Sequence, residues 1–156
     1  MTTTSVSNPL LRLGSQGASV KELQELLNAQ LSARRRISTD GIFGTQTETA
    51  VKTTQYRFFL AQDGVVGAKT WHVLRTRTLV EKPILRFGSQ GDLVARVQQV
   101  LKNGSFYQGT ADGDFGAKTQ TAVETFQVDR SLSKDGIVGP NTWQALVELA
   151  QILSAV

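Results

Sequence analysis

Apolar residues along this chain fall into short stripes with helical spacing, separated by polar, glycine-bearing segments. Val20, Leu23 and Leu27 follow the i, i+3, i+7 pattern that places side chains on one face of an α-helix, and Val94, Val97 and Leu101 repeat it. Thr119, Ala122, Val123 and Phe126 stack on one face of a second helix. Trp143, Leu146, Leu149, Ala150 and Leu153 mark a third, whose earlier counterpart carries Trp71 and Leu74 and is shorter. The pattern predicts three helices, twice over, and hence an all-α fold of two tandem three-helix bundle modules.

The segments between the stripes also repeat. Leu11-Arg12-Leu13-Gly14-Ser15-Gln16-Gly17 returns as Leu85-Arg86-Phe87-Gly88-Ser89-Gln90-Gly91. Asp40-Gly41-Ile42-Phe43-Gly44 returns as Asp112-Gly113-Asp114-Phe115-Gly116, and Asp63-Gly64-Val65-Val66-Gly67 with Thr70-Trp71 returns as Asp135-Gly136-Ile137-Val138-Gly139 with Thr142-Trp143. Self-similarity of this kind outranks any single-element reading, because it fixes the unit of folding. The copies lie 74 residues apart at the first motif (Leu11 to Leu85) and 72 at the other two (Asp40 to Asp112, Asp63 to Asp135). The first copy therefore carries extra length within Leu31 to Thr39, where Arg34, Arg35 and Arg36 predict an enlarged, solvated basic loop. The expected organisation is a flexible tail at residues 1–8, a first module at 9–79 and a second at 80–156, with Pro83 discouraging a helix through the join.

The glycine pairs punctuate the helices: Gly41 with Gly44, Gly64 with Gly67, Gly113 with Gly116, and Gly136 with Gly139. A tight turn often demands positive φ, which costs a residue with a Cβ about 1–2 kcal/mol. In each loop the aspartate is placed to accept hydrogen bonds from backbone N–H groups of the turn or of the next helix. Phe43 and Phe115 read as plugs that pin their loops to the helices, and the register of Trp71 with Leu74 and of Trp143 with Leu146 makes both tryptophans core residues.

These motifs identify a family. The order L-R-x-G-S-x-G, a helix with V-x-x-L-Q, D-G-x-F-G-x-x-T-x-x-A-V-x-x-F-Q, then D-G-x-V-G-x-x-T-W-x-x-L resembles the peptidoglycan-binding domain appended to bacterial wall hydrolases, and covers nearly everything from Leu10 to Leu149. The second copy matches almost throughout. The first departs where Thr54 precedes Gln55 in place of an aromatic, a gap that Phe58 or Phe59 is expected to fill. The resemblance implies wall recognition, with any cutting done by a separate catalytic domain.

The chain has no cysteine and a single histidine, which removes disulfides, thiolate metal sites and a Cys nucleophile, and leaves His72 without partners for a metal or a catalytic triad. His72 reads as an exposed helix residue. Asp40, Asp63, Asp112 and Asp135 are explained by turn capping without invoking the paired carboxylates of a glycosidase. No phosphate-binding glycine motif is present, so no cofactor, no metal and no enzymatic activity are expected.

The expected ligand-groove residues are Arg12, Gln16, Asp40, Phe43, Gln55 and Tyr56 in the first copy. Those of the second are Arg86, Gln90, Tyr107, Asp112, Phe115 and Gln127. Tyr56, Phe106 and Tyr107 stand outside the apolar stripes and are expected to be exposed. Gln55 and Gln127, recurring beside core residues, are expected chiefly to bond loop backbone.

The net charge of +4 favours anionic partners in general, but no nucleic-acid reading motif accompanies it and none of the apolar runs is long enough to span a bilayer. The expected partner is peptidoglycan or its fragments, with a wall hydrolase or another protein as a further partner. A protein-interaction module on the same scaffold is the alternative. The first residues lack the pattern of a secretory signal, so a cytoplasmic location stands beside the periplasmic or wall-associated one that the resemblance implies.

Overall fold

A computed structural model describes residues 8–154. Six α-helices and one 3-10 turn make up the regular structure of the described residues, and the chain divides into two units at Val80–Glu81. The first unit holds α1 (Ala18–Gln30), α2 (Thr45–Arg57) and α3 (Ala68–Thr76). The second holds α4 (Asp92–Asn103), α5 (Ala117–Asp129) and α6 (Pro140–Ser154). Both are the three-helix modules expected. Of the predicted tail, residues 1–7 lie outside the described residues, while the side-chain oxygen of Asn8 accepts a hydrogen bond from Arg75.

In the first unit α1 packs on α2 and α3, which also touch each other. The apolar stripe predicted from sequence forms the core: Val20, Leu23 and Leu27 of α1 meet Val51 of α2 and Trp71 and Leu74 of α3, with Phe43 inserted from the loop. In the second unit α4 packs on α5 and α6, and Val94, Val97, Leu101, Val123, Phe126 and Leu146 are buried. Thr54 is buried in α2, and Phe58 and Phe59 beyond it are buried as well. Phe59 enters the left-handed region at φ 58, so that the Leu60 N–H reaches back to the Gln55 carbonyl at 2.9 Å and closes the helix end. Ser131 and Leu132 repeat that closure on Gln127 at 2.8 Å.

The segment before each first helix crosses both Asp-Gly loops of its own unit, with a tight turn at Leu13-Gly14 or Phe87-Gly88 between its two points of pairing. Leu11 pairs with Val66 through two backbone hydrogen bonds, at 3.2 and 2.8 Å, and Gly14 and Ser15 pair with Phe43. Leu85 with Val138, and Gly88 and Ser89 with Phe115, do the same in the second unit. The tryptophan of each third helix ties the start of this segment, its indole N–H donating to the carbonyl of Pro9 at 2.8 Å in one unit and of Pro83 at 3.0 Å in the other.

Candidate functional site

The loops are built on a hydrogen-bond node that occurs four times. In its first occurrence Gln24 projects from α1 and is 1% exposed. Its Oε1 accepts from the Gly41 N–H at 2.9 Å, and its Nε2 lies 3.2 Å from Asp40 Oδ1, 3.0 Å from the Ile42 carbonyl and 3.1 Å from Thr47 Oγ1. Asp40 Oδ1 in turn accepts from the Ile42 N–H at 3.0 Å, closing an Asx turn. Gln98 repeats this arrangement on Asp112, Gly113, Asp114 and Thr119. Gln55 repeats it on Asp63, Gly64, Val65 and Thr70, and Gln127 on Asp135, Gly136, Ile137 and Thr142.

A buried amide with all of its donors and acceptors engaged holds a loop in one conformation, because each group stranded without a partner costs about 1–3 kcal/mol. Gln24, Gln98 and the threonines Thr47, Thr70, Thr119 and Thr142 were not singled out as node residues from the sequence. The signal was present, in that each Gln directly follows a buried residue of its helix (Leu23, Thr54, Val97 or Phe126) and each Thr follows three residues after the second glycine of its loop.

The aspartates are acceptors in turns, and among the described residues none caps a helix N-terminus. Asp40, Asp112 and Asp135 are held below the usual carboxylate range, first by the backbone N–H two residues on and then by the amide of Gln24, Gln98 or Gln127. A carboxyl kept ionised this way is a poor general acid. Among the described residues no group of three His, Cys, Asp or Glu side chains is placed to hold a metal ion, and His72 is exposed.

The predicted site residues separate by burial. Arg12, Gln16, Arg86 and Gln90 are exposed on this edge, with Leu13 at 51% exposure and Phe87 at 61% in the turn between them. Asp40 and Asp112 are exposed beside that edge, and Tyr56 is half-buried. Gln55 and Gln127 lie inside the nodes, as their recurrence suggested, and Phe43 and Phe115 are buried under the loops; these four shape the surface from below. Tyr107 corrects an expectation. It is buried at 6% exposure, its hydroxyl donating to the Thr110 carbonyl at 2.8 Å, because the α4–α5 loop folds the ring back onto its own backbone. Phe106 is half-buried, set edge-on to Phe126 at 5.2 Å.

The glutamine nodes and the loops they hold are matched by the family described as "Putative peptidoglycan binding domain", over residues 16–74 and again over 90–146. The chain belongs to the peptidoglycan-binding domain family. It is 33% identical to N-acetylmuramoyl-L-alanine amidase CwlM of Mycobacterium tuberculosis, over 92% of this chain and 39% of that protein. It is 30% identical to N-acetylmuramoyl-L-alanine amidase CwlL of Bacillus licheniformis, over 85% of this chain and 44% of that protein. The chain thus spans less than half the length of these curated relatives. Among solved structures it is similar to the SleB N-terminal domain, at 36% identity over 45% of this chain and 96% of the other, with a TM-score of 0.44. The family assignment rests on the two matched segments, which take in every node.

Proposed function

We propose that this chain binds bacterial peptidoglycan without cutting it, through its two tandem modules, at the periplasmic or wall-exposed face of the cell. The observation that carries the reading is the exposed edge Arg12-Leu13-Gln16, repeated as Arg86-Phe87-Gln90, held to fixed loops in a member of this family. Guanidinium and amide groups there can hydrogen-bond the carboxylates and amides of stem peptides or the hydroxyls of glycan, and Leu13 and Phe87 offer an apolar face for sugar or peptide. A wall hydrolase supplied elsewhere would then be brought to the polymer by binding alone. Two weak sites on one polymer gain through effective concentration when both can engage it.

The experiment is co-sedimentation with insoluble sacculi at low and moderately high salt, for the wild-type chain and for Arg12→Ala, Arg86→Ala and the double variant. Salt-resistant pelleting that falls stepwise across the variants supports wall binding by both modules. Absence of pelleting refutes it.

A second reading, a protein-interaction surface on the same scaffold, is favoured by the apolar exposure of this edge in the first module, where Leu10 is 64% and Ile42 52% exposed. A folded chain that pellets with sacculi in neither its wild-type nor its variant forms would favour that reading. Release of soluble fragments from purified wall by the chain alone would refute the non-catalytic part of the proposal.

A further inference from the structure

The extra residues of the first module build a pocket that the second module's loop is not equipped to copy. After α1 the chain turns through a 3-10 segment, Ala33–Arg35, and returns to be clamped by Asn28, whose side chain bonds both the N–H and the carbonyl of Ile37 at 2.8 and 2.9 Å. Leu31 and Ile37, at the two ends of the loop, pack against the core and fix it from below. Between this loop and the first half of α2 lies a pocket of about 450 Å³, within the range of small-ligand sites.

The pocket has three chemically distinct parts. Arg34, Arg35 and Arg36 line one side, no carboxylate is among its lining residues, and among the described residues no ion pair engages Arg34 or Arg36. Leu31, Ile37 and Ala50 give it an apolar floor. On the α2 side the hydroxyls of Thr49 and Thr53 donate to the carbonyls one turn back, at 3.0 and 3.1 Å, which commits their hydrogens and leaves their oxygens as acceptors. Positive charge here is concentrated: Arg57 is held below the ordinary guanidinium range by burial and then by the charge of Arg35. The corresponding stretch of the second module, Asn103 to Ala111, contains no charged residue.

Guanidiniums for an anion, acceptor oxygens for N–H groups and an apolar floor for methyls together describe one kind of ligand. We propose that this pocket takes the free carboxylate end of a short peptide with small apolar side chains, such as a peptidoglycan stem peptide ends in. The assignment deepens the wall-binding reading, and rests on it for the source of the peptide but not for the chemistry of the pocket. It also makes the two modules unequal: the first carries a peptide-end site that the second does not.

The test is an amide NMR titration of the full chain with three probes: N-acetyl-D-alanyl-D-alanine, the same dipeptide as its C-terminal amide, and inorganic phosphate. Saturable shifts confined to residues 31–53, produced by the free acid, support the assignment. Weakening by at least about tenfold both in the C-terminal amide and in Arg34→Gln/Arg36→Gln completes the support, since a charge-assisted bidentate pair is worth that much or more. The two arginines are exposed, so shifts elsewhere in the double variant should stay unchanged. No shift, equal binding of the amide, or phosphate binding as tightly as the peptide overturns it. Sacculus pelleting is scored separately. Pelleting without peptide shifts overturns the pocket and keeps wall binding, whereas shifts without pelleting keep the pocket and overturn wall binding.

Discussion

Gln98 and Gly113, separated by a loop that joins two helices, meet in a hydrogen bond of 2.9 Å between a side-chain oxygen and a backbone N–H, with both groups buried. Gln24 meets Gly41 at the same distance in the other module. The contact turns a helix residue into the template for a turn, and the stability of each loop should depend on it.

Gln98→Leu keeps approximate size and removes the template, stranding the Gly113 N–H and the Thr119 hydroxyl. A loss of at least about 2 kcal/mol from the second module is expected. Each module contains one tryptophan, so in a Trp71→Phe background urea unfolding followed by Trp143 fluorescence reports the second module alone. A midpoint unchanged from the background protein would mean that the node is incidental.

Gly113 and Gly116 bound the same loop and should respond oppositely to substitution. At Gly113, φ is +81 and a Cβ would lie 2.9 Å from the Gly91 carbonyl oxygen, so Gly113→Ala should cost more than about 1–2 kcal/mol. At Gly116, φ is −100, nothing stands within 4 Å of a built Cβ, and the residue caps α5. Gly116→Ser should therefore be neutral or stabilising by a few tenths of a kcal/mol. Thermal melts of the two variants side by side decide it.

Three aspartates with depressed pKa values predict acid sensitivity of one sign. A carboxyl whose folded pKa lies below its unfolded value contributes stability above the unfolded value, about 3.9, and loses it as pH falls through the folded one. Stability should be flat from pH 7 to about 5 on account of these groups and decline below about 4. Asp112→Asn should be less stable than wild type at pH 7, and the difference should shrink toward zero as the pH falls below the folded pKa. Urea midpoints against pH for the two proteins provide the check.

Phe43 and Phe115 enter the core from the loops, at 1% and 2% exposure. Truncation to alanine in either module should cost about 3–5 kcal/mol by loss of burial and a residual cavity. Unfolding of the altered module at lower urea, followed by its own tryptophan with the other replaced by phenylalanine, is the expected outcome.

Much of this fold was legible because it repeats. Val20, Leu23 and Leu27 announce a helix by spacing alone, and the Asp-Gly pairs announce its punctuation. The pairing of Leu11 with Val66 was not legible, since the two segments are distant in sequence and isolated bridges leave no period-two pattern. Tyr107 misled for a related reason. Its burial comes from one loop folding on its own carbonyl, which no stripe of spacing records. At the candidate site, motif positions were visible, but whether a side chain faced ligand or core depended on the node. Gln24 and Gln98 lie within the apolar stripes of α1 and α4 as single polar residues, and only the loop each one holds explains why they are buried.

The glutamine template works at several sequence separations. Gln55 and Gln127 grasp an aspartate 8 residues on, Gln98 one 14 residues on and Gln24 one 16 residues on, with the same atoms in contact each time. The span between helix and turn can thereby vary in length while the turn keeps its template. A loop of new length or charge inserted between Leu31 and Ile37 would have its two ends already fixed on the core, so evolution and protein engineers alike can change the surface there without teaching the module to fold again.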